Sequence, residues 1–524
     1  MAAGATVSGE ADERLGGDFS VTLVVDVPGD RAGAAGGLVA KFDPVTRTGF
    51  SLCAISSAGG YNGPGDELRL SFGIDAGTEP QWFDRGRPSP ASNYISNSLT
   101  VFDGALHAAT SDAPEPADRG HVYRHVGETQ WEDLGQVARE GAHGVGPLLV
   151  HRDALYAASW NYDWTRVHDE DLAPCHVYRF AAPGRWDDCG APGNAKRIFS
   201  LASFRGDLYA MGDDATVHVH RGGATWELVR RFDTFAHPAT VHDGRLVLGM
   251  LQPATVWAYD GDAWEDLGNP LGDPERCDEI HSLVTFGGAL HAGTWRLGRV
   301  ARWDASGRRW RQTGRLGDST EVMALNVYNG TLYGASIPRA EVSRYERDRR
   351  WRSVRRLFAP PGWRPVLVRN MQGPDGDRRM RGWTRITSLT QHDGLLFASV
   401  GSCTSAAVDA PADVRGTVHA FRAGVVATTP RTLTPGRHHV AAVRRGSTLT
   451  VHVDGAVAAT ARGAVTGSVA TAAPLTIGED ASGPFRGGIE GATTHDRALD
   501  PGEIEALAAH ALHAGTAHEE EVVG

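Results

Sequence analysis

The stretch Gly104–Thr110, GALHAAT, decides the fold, because the chain carries the same pattern six more times. The copies are DALYAAS from Asp153, GDLYAMG from Gly206, GRLVLGM from Gly244, GALHAGT from Gly288, GTLYGAS from Gly330 and GLLFASV from Gly394. Self-similarity at a period of roughly 40 residues is the mark of a propeller or a solenoid. Upstream of most copies lies a tight turn, FDG, FRG, HDG, FGG, YNG or HDG, with the chemistry of a two-residue hairpin. A third alternating stretch follows each copy: HVYR at His121 and His176, TVHV at Thr216, TVWA at Thr255, RVAR at Arg299, EVSR at Glu341 and TVHA at Thr417.

A fourth stretch then carries a tryptophan, at Trp131, Trp186, Trp226, Trp264, Trp310 and Trp351. Four strands in each of seven units give a seven-bladed β-propeller, with the tryptophans packing between blades. The seventh unit lacks its tryptophan strand. WFDRG at Trp82, far upstream, is expected to supply it, closing the ring and removing an exposed edge. In such a meander the first-to-second turns share one face. Length variation gathers on the other, at 160–174, 269–279, 358–383 and 402–415, and long loops on a rigid scaffold are where binding and chemistry sit.

Outside the repeats, FSVTLVVDV at Phe19, GGLVAKF at Gly36, GFSLCAI at Gly49 and LRLSFGI at Leu68 read as strands. After them come RHHVAAV, VDG, LTIG, GGIEG and RALDPGEI in the C-terminal part. These segments resemble the laminin-G/concanavalin-like jelly roll, here split by the propeller. The expected division is 1–75 for its first half, 76–423 for the propeller and 424–524 for its second half, with a short helix near Pro501 to His510. The resemblance implies glycan binding, sometimes with calcium, or a purely bracing role; no acidic calcium cluster stands out.

Composition narrows the functions. The 524 residues are 41% apolar and 22% charged, with a formal net charge of -11, which argues against general nucleic-acid binding. No apolar run approaches the ~20 residues needed to span a bilayer, so no membrane partner is expected. The N-terminal stretch lacks a basic and an apolar region of a secretory signal, which reads as cytoplasmic as written, or as secreted if a signal was removed. Basic residues are nearly all arginine. Five cysteines, Cys53, Cys175, Cys189, Cys277 and Cys403, show no metal-ligand spacing. Cys175 and Cys189 fall on neighbouring strands and are placed to pair in an oxidising setting.

Alignment of the first strands puts Asn97, Gly146, Phe199, His237, His281, Met323 and Thr387 at equivalent positions, ringing the channel. Two histidines and an asparagine converging on one axis can meet one ligand or hold a metal. The loop WNYDWTRVHDED adds Trp160, Tyr162, Arg166 and His168, and other strand ends add Asp213, Trp295, Arg296 and Arg339. Aromatics with arginine and histidine suit a sugar that carries a carboxylate.

The whole arrangement, with GSCTSAAVDAPADVRGTVHAF from Gly401, resembles the rhamnose-releasing glucuronate polysaccharide lyases of arabinogalactan-type gums. That resemblance implies β-elimination on an acidic oligo- or polysaccharide and admits a calcium ion in the channel. Arg166 or Arg296 would then neutralise the uronate, His237 or His281 act as base and Tyr162 as acid, with Asn97, Trp160, Asp213, Trp295 and Arg339 binding substrate. Other readings are a non-catalytic carbohydrate-binding protein, an interaction scaffold, and a propeller glycoside hydrolase using Asp213 and Glu279.

Overall fold

A computed structural model of the chain describes residues 5–7, 15–57, 60–92, 94–111, 113–138, 142–161, 171–273, 277–358, 384–402, 414–465 and 468–522. It is an all-β molecule in which a seven-bladed propeller interrupts a jelly roll. The first blade shows the plan: Tyr94–Phe102, Ala105–Ser111, His121–Gly127 and Gln130–Gln136 form an antiparallel meander running outward from the axis.

Burial explains why the strands of one blade differ in composition. In the second blade every residue of Gly144–His151 and Ala154–Trp160 is buried, so apolar, small and hydroxyl side chains dominate, and the one histidine, His151, bonds to Ser203 Oγ at 2.9 Å. Its outermost strand, Arg185–Asp188, leaves three of four residues exposed and reads as charged residues around one tryptophan. Those tryptophans tie blades together. Trp131, Trp226, Trp310 and Trp351 donate their indole N–H to Arg85, Cys189, Leu267 and Thr313 carbonyls of the preceding blade, at 2.7, 2.8, 2.8 and 3.0 Å.

The seventh blade consists of Arg385–His392, Leu395–Gly401 and Val418–Arg422, with Gln81–Asp84 as its outer strand. Phe421 faces Trp82 and Ala420 faces Phe83 across this antiparallel pair. Ring closure therefore joins chain segments more than 330 residues apart and gives this blade its fourth strand.

The jelly roll is likewise woven from both ends of the sequence. Phe19–Val27 pairs on one side with Gly436–Arg445 and on the other with Gly488–His495. The facing sheet takes Gly36–Asp43, Thr48–Ile55 and Arg69–Ala76 from the N-terminal part, and Val425–Thr428 and Leu475–Ile477 from the C-terminal part. Phe19, Phe50 and Phe72 meet between the sheets, with ring centroids 4.7, 6.0 and 6.4 Å apart. The terminal helix is longer than expected, running Pro501–Val522, and Ile504 packs with Leu499 against Ala441 and Val443. No helix among the described residues is long and apolar enough to cross a membrane.

All seven first-to-second turns meet the jelly roll. Gly104 lies against Pro430, Asp153 pairs with Arg31 at 2.7 Å, and the Asp30 carboxylate faces the Arg205–Gly206 turn. Asp243 pairs with Arg486, the Gly287 amide donates to Ala481, Asn329 donates to the Ile74 carbonyl, and Gly394 lies on Val426. One mouth of the channel is thus covered by the second domain.

Through that covered mouth the jelly roll sends a plug. The segment joining Thr48–Ile55 to Arg69–Ala76 enters the channel and bonds to the innermost strands of five blades, the fifth through Tyr61 and His281. Ser57 Oγ accepts from Val101 N (3.0 Å), Asn62 Oδ1 from Leu201 N (3.1 Å), and the Tyr61 carbonyl from Ala239 N (2.8 Å) and Ser200 Oγ (2.7 Å). Asp66 N donates to Val150 O at 3.1 Å. Gly63 is needed for the close approach, because a Cβ there would sit 2.7 Å from the Ala202 Cβ.

Candidate functional site

Each innermost strand carries a register shift at the ring position singled out by the repeat. The shifts fall between Ile95 and Leu99, Val145 and Leu148, Ile198 and Ser200, Ala236 and Ala239, Ile280 and Ser282, Val322 and Ala324, and Ile386 and Ser388. Such a bulge drops a residue out of the ladder and re-aims its side chain. Gly146, Phe199, His237, His281, Met323 and Thr387 lie within these shifts. Asn97 does too, but its side chain lies outside the described residues.

The two histidines come together. Their ring centroids are 5.2 Å apart, and both residues are buried, at 2% and 3% exposure. Tyr61 of the plug makes a triangle with them, its ring stacked on His237 at 4.6 Å and its hydroxyl 2.7 Å from His281 Nδ1. His281 Nε2 lies 2.9 Å from Glu279 Oε2 and 3.9 Å from Glu321 Oε2. Glu279 also accepts from Gln252 Nε2 at 3.3 Å. With neutral His281, a proton on Nε2 serves Glu279 and leaves Nδ1 to accept from Tyr61.

His237 differs from its neighbour in having no hydrogen-bond partner at either ring nitrogen. Burial holds its pKa well below the usual imidazole value, helped by His281, Arg197 and Arg385, so it is neutral at physiological pH. Burial likewise raises Glu321 above the usual carboxylate range, against the opposing pull of His281 and Arg385. Tyr61 is pushed well above the ordinary phenol value by the same cause.

A second ring sits two residues earlier on each strand, where the strand period of two returns to the same face. It includes Arg197, Phe235, Glu279, Glu321 and Arg385. Because Glu321 and Arg385 begin their strands, this layer lies toward the mouth opposite the jelly roll. Arg197 stacks on the Trp160 indole at 3.5 Å and lies 5.3 Å from the Phe199 centroid; Arg385 lies 5.8 Å from the Tyr94 centroid.

The remaining sequence candidates are spread around this centre. Trp160 is 1% exposed, donates to Ile198 O at 2.7 Å and fills the space left by Gly146. Trp295 is also buried. Arg296 is paired with Asp278, and Arg339 with Asp318 at 2.9 Å. Asp213 accepts the backbone amides of Lys196 and Arg197, at 2.8 and 3.2 Å. Tyr162, Arg166 and His168 lie outside the described residues. Cys175 and Cys189 are free thiols, the first donating to Lys196 O at 2.8 Å, so the pairing for which their strands place them is not formed.

Tyr61, Glu321, Arg197 and Arg385 were not picked out by sequence reasoning. Three of them would follow from reading the ring alignment two residues upstream. Tyr61 carries a weaker signal: a lone aromatic in AGGYNGPGDE, a connection too long for two adjacent jelly-roll strands.

A family model described as the concanavalin A-like lectin/glucanases superfamily matches residues 381–505. The match starts four residues before the first strand of the seventh blade and ends in the terminal helix. No curated protein matches the chain. Among solved structures, a catalytically inactive virginiamycin B lyase from Staphylococcus aureus with quinupristin aligns at 9% identity and TM-score 0.46, over 66% of this chain and 99% of that one. YCF48 from Cyanidioschyzon merolae aligns at 10% identity and TM-score 0.43, over 65% of this chain and 98% of that one. The WD40 propeller domain of Doa1 aligns at 13% identity and TM-score 0.42, over 65% of this chain and 96% of that one. At these values none of the three bears on what this chain does.

Proposed function

We propose that the channel cluster is the reactive centre of a glycan-active enzyme, and that its reaction is β-elimination at a uronic acid of an acidic glycan. A propeller joined to a concanavalin-like domain is compatible with carbohydrate binding or with glycan chemistry. The observation that favours chemistry is His237: a neutral, buried imidazole with both nitrogens unpartnered, beside a histidine held between Tyr61 and Glu279. A binding site has no use for an unsatisfied base.

In this reading Arg197 and Arg385 draw the uronate carboxylate, which acidifies the proton at carbon 5. His237 accepts that proton, the electron pair forms the bond between carbons 4 and 5, and the bond from carbon 4 to the leaving oxygen breaks. Tyr61, with its hydroxyl placed by His281, protonates that oxygen. Tyr162 and Arg166 remain candidates for the same acid and neutralising roles.

The test is incubation with uronate-containing glycans, following the ultraviolet absorbance of the unsaturated product. Tyr61→Phe, which keeps the ring, is expected to lower kcat by 10²-fold or more with little change in KM. Glycan binding with no product would leave a lectin. Reducing sugar released without the absorbance would mean hydrolysis.

A further inference from the structure

We propose that His237, His281 and Glu279, with Glu321 beside them, form a binding site for a divalent first-row transition ion. The three nearest donors each offer one ligand atom, and these atoms all lie within 4.8 Å of one another. His281 Nε2 and Glu279 Oε2 are 2.9 Å apart, and two donors at that separation subtend about 90° at an ion about 2.05 Å from each. That angle belongs to adjacent positions of a five- or six-coordinate ion. Opposite donors would be at most about 4.1 Å apart, so the widest pair needs to close by less than about 1 Å.

Three further features fit a ligand set and not only a buried hydrogen-bond cluster. His237 Nδ1 and Nε2 and Glu321 Oε2 are buried without hydrogen-bond partners, an arrangement that is costly unless something fills it. His281 carries the outer contact typical of a ligating histidine: with Nε2 on an ion, Nδ1–H donates to Tyr61 at 2.7 Å. Glu279 is likewise held from behind by Gln252.

Donor type sets the class of ion. Two imidazoles with one or two carboxylates suit manganese, iron, cobalt, nickel or zinc, whereas calcium takes six to eight oxygens. The set is therefore unlike a calcium seat.

The role of the ion rests on the catalytic reading of this cluster, although its binding does not. Once coordinated, His237 has no lone pair left to accept the carbon-5 proton, so ion binding would switch the elimination off. Metal-free and metal-loaded protein then differ sharply in activity.

The experiment uses the full chain, stripped with a chelator and dialysed, then titrated with Co²⁺ while the visible absorption is followed. The expected result is one equivalent bound, displaced by Zn²⁺ and not by an equal concentration of Ca²⁺. His237→Ala and Glu279→Gln should each weaken binding at least tenfold while far-ultraviolet circular dichroism stays unchanged. His176→Ala, which removes a half-buried histidine outside the cluster, paired with Asp188 at 2.8 Å, should leave the titration as it was. No bound Co²⁺ or Zn²⁺, or binding untouched by both cluster variants, overturns the site. Ready exchange for Ca²⁺ overturns the class of ion. Tight binding without any glycan product from either stripped or loaded protein would overturn the catalytic reading and leave the site standing, and equal activity of the two forms would overturn the ion's role.

Discussion

Gly146→Ala is expected to destabilise the protein by about 2–4 kcal/mol, although it adds a single methyl group to a residue whose backbone strains nothing. A Cβ at this position would sit 2.0 Å from Trp160 Nε1 and 2.4 Å from its Cε2, where ordinary contact begins at 3.4 Å. The indole must retreat, but it is 1% exposed and clamped between the Ile198 carbonyl and the Arg197 guanidinium. Overpacking of this kind costs about 1–3 kcal/mol, and loss of the indole hydrogen bond adds about 1 kcal/mol. Urea denaturation followed by fluorescence reads the change. A double-mutant cycle supplies the decisive comparison: with Trp160→Ala already in place the clash is gone, so Gly146→Ala should then cost less than about 0.5 kcal/mol. Full additivity of the two changes would refute the claim that Gly146 exists to seat Trp160.

Trp82→Ala should lower stability by about 2 kcal/mol, because the half-buried ring packs on Phe421 at 4.7 Å. The accompanying sign is faster amide exchange in Val418–Arg422; protection unchanged there would mean the clasp is dispensable. Glu67, buried and raised to about 7, is protonated more readily in the folded chain than in the unfolded one. Its contribution is therefore full below its ordinary value near 4.5 and is lost as pH rises through 7, on the order of 3 kcal/mol. Urea midpoints should fall between pH 5 and 8, and Glu67→Gln should flatten that slope; an unaltered slope would exonerate Glu67. Burial also holds the Cys175 thiol up at about 12, so a thiol reagent should label it at least 100-fold faster after unfolding, and rapid labelling of native protein would contradict its placement.

The blades and the ring of first-strand residues were legible because each is encoded within one repeat. A tight turn, an alternating strand and a tryptophan strand recur with the same spacing, so the sequence could place His237 and His281 at equivalent positions before any contact was known. The bulge at every ring position is the local device that turns those side chains toward the axis. What each histidine does there was not legible. His237 and His281 have the same rank in their repeats, yet one is unpartnered and the other is held at both nitrogens.

That difference is a tertiary matter. Tyr61 reaches His281 from 220 positions away, and only because the jelly roll covers one mouth of the propeller and threads its loop through the channel. The sequence by itself determined the repeating units, since strand periodicity and turn chemistry act over a few residues. The missing strand at Trp82 was legible for the same reason, whereas the Tyr61 plug and the neutral state of His237 were decided by packing, because they depend on which distant segments exclude water from one axis.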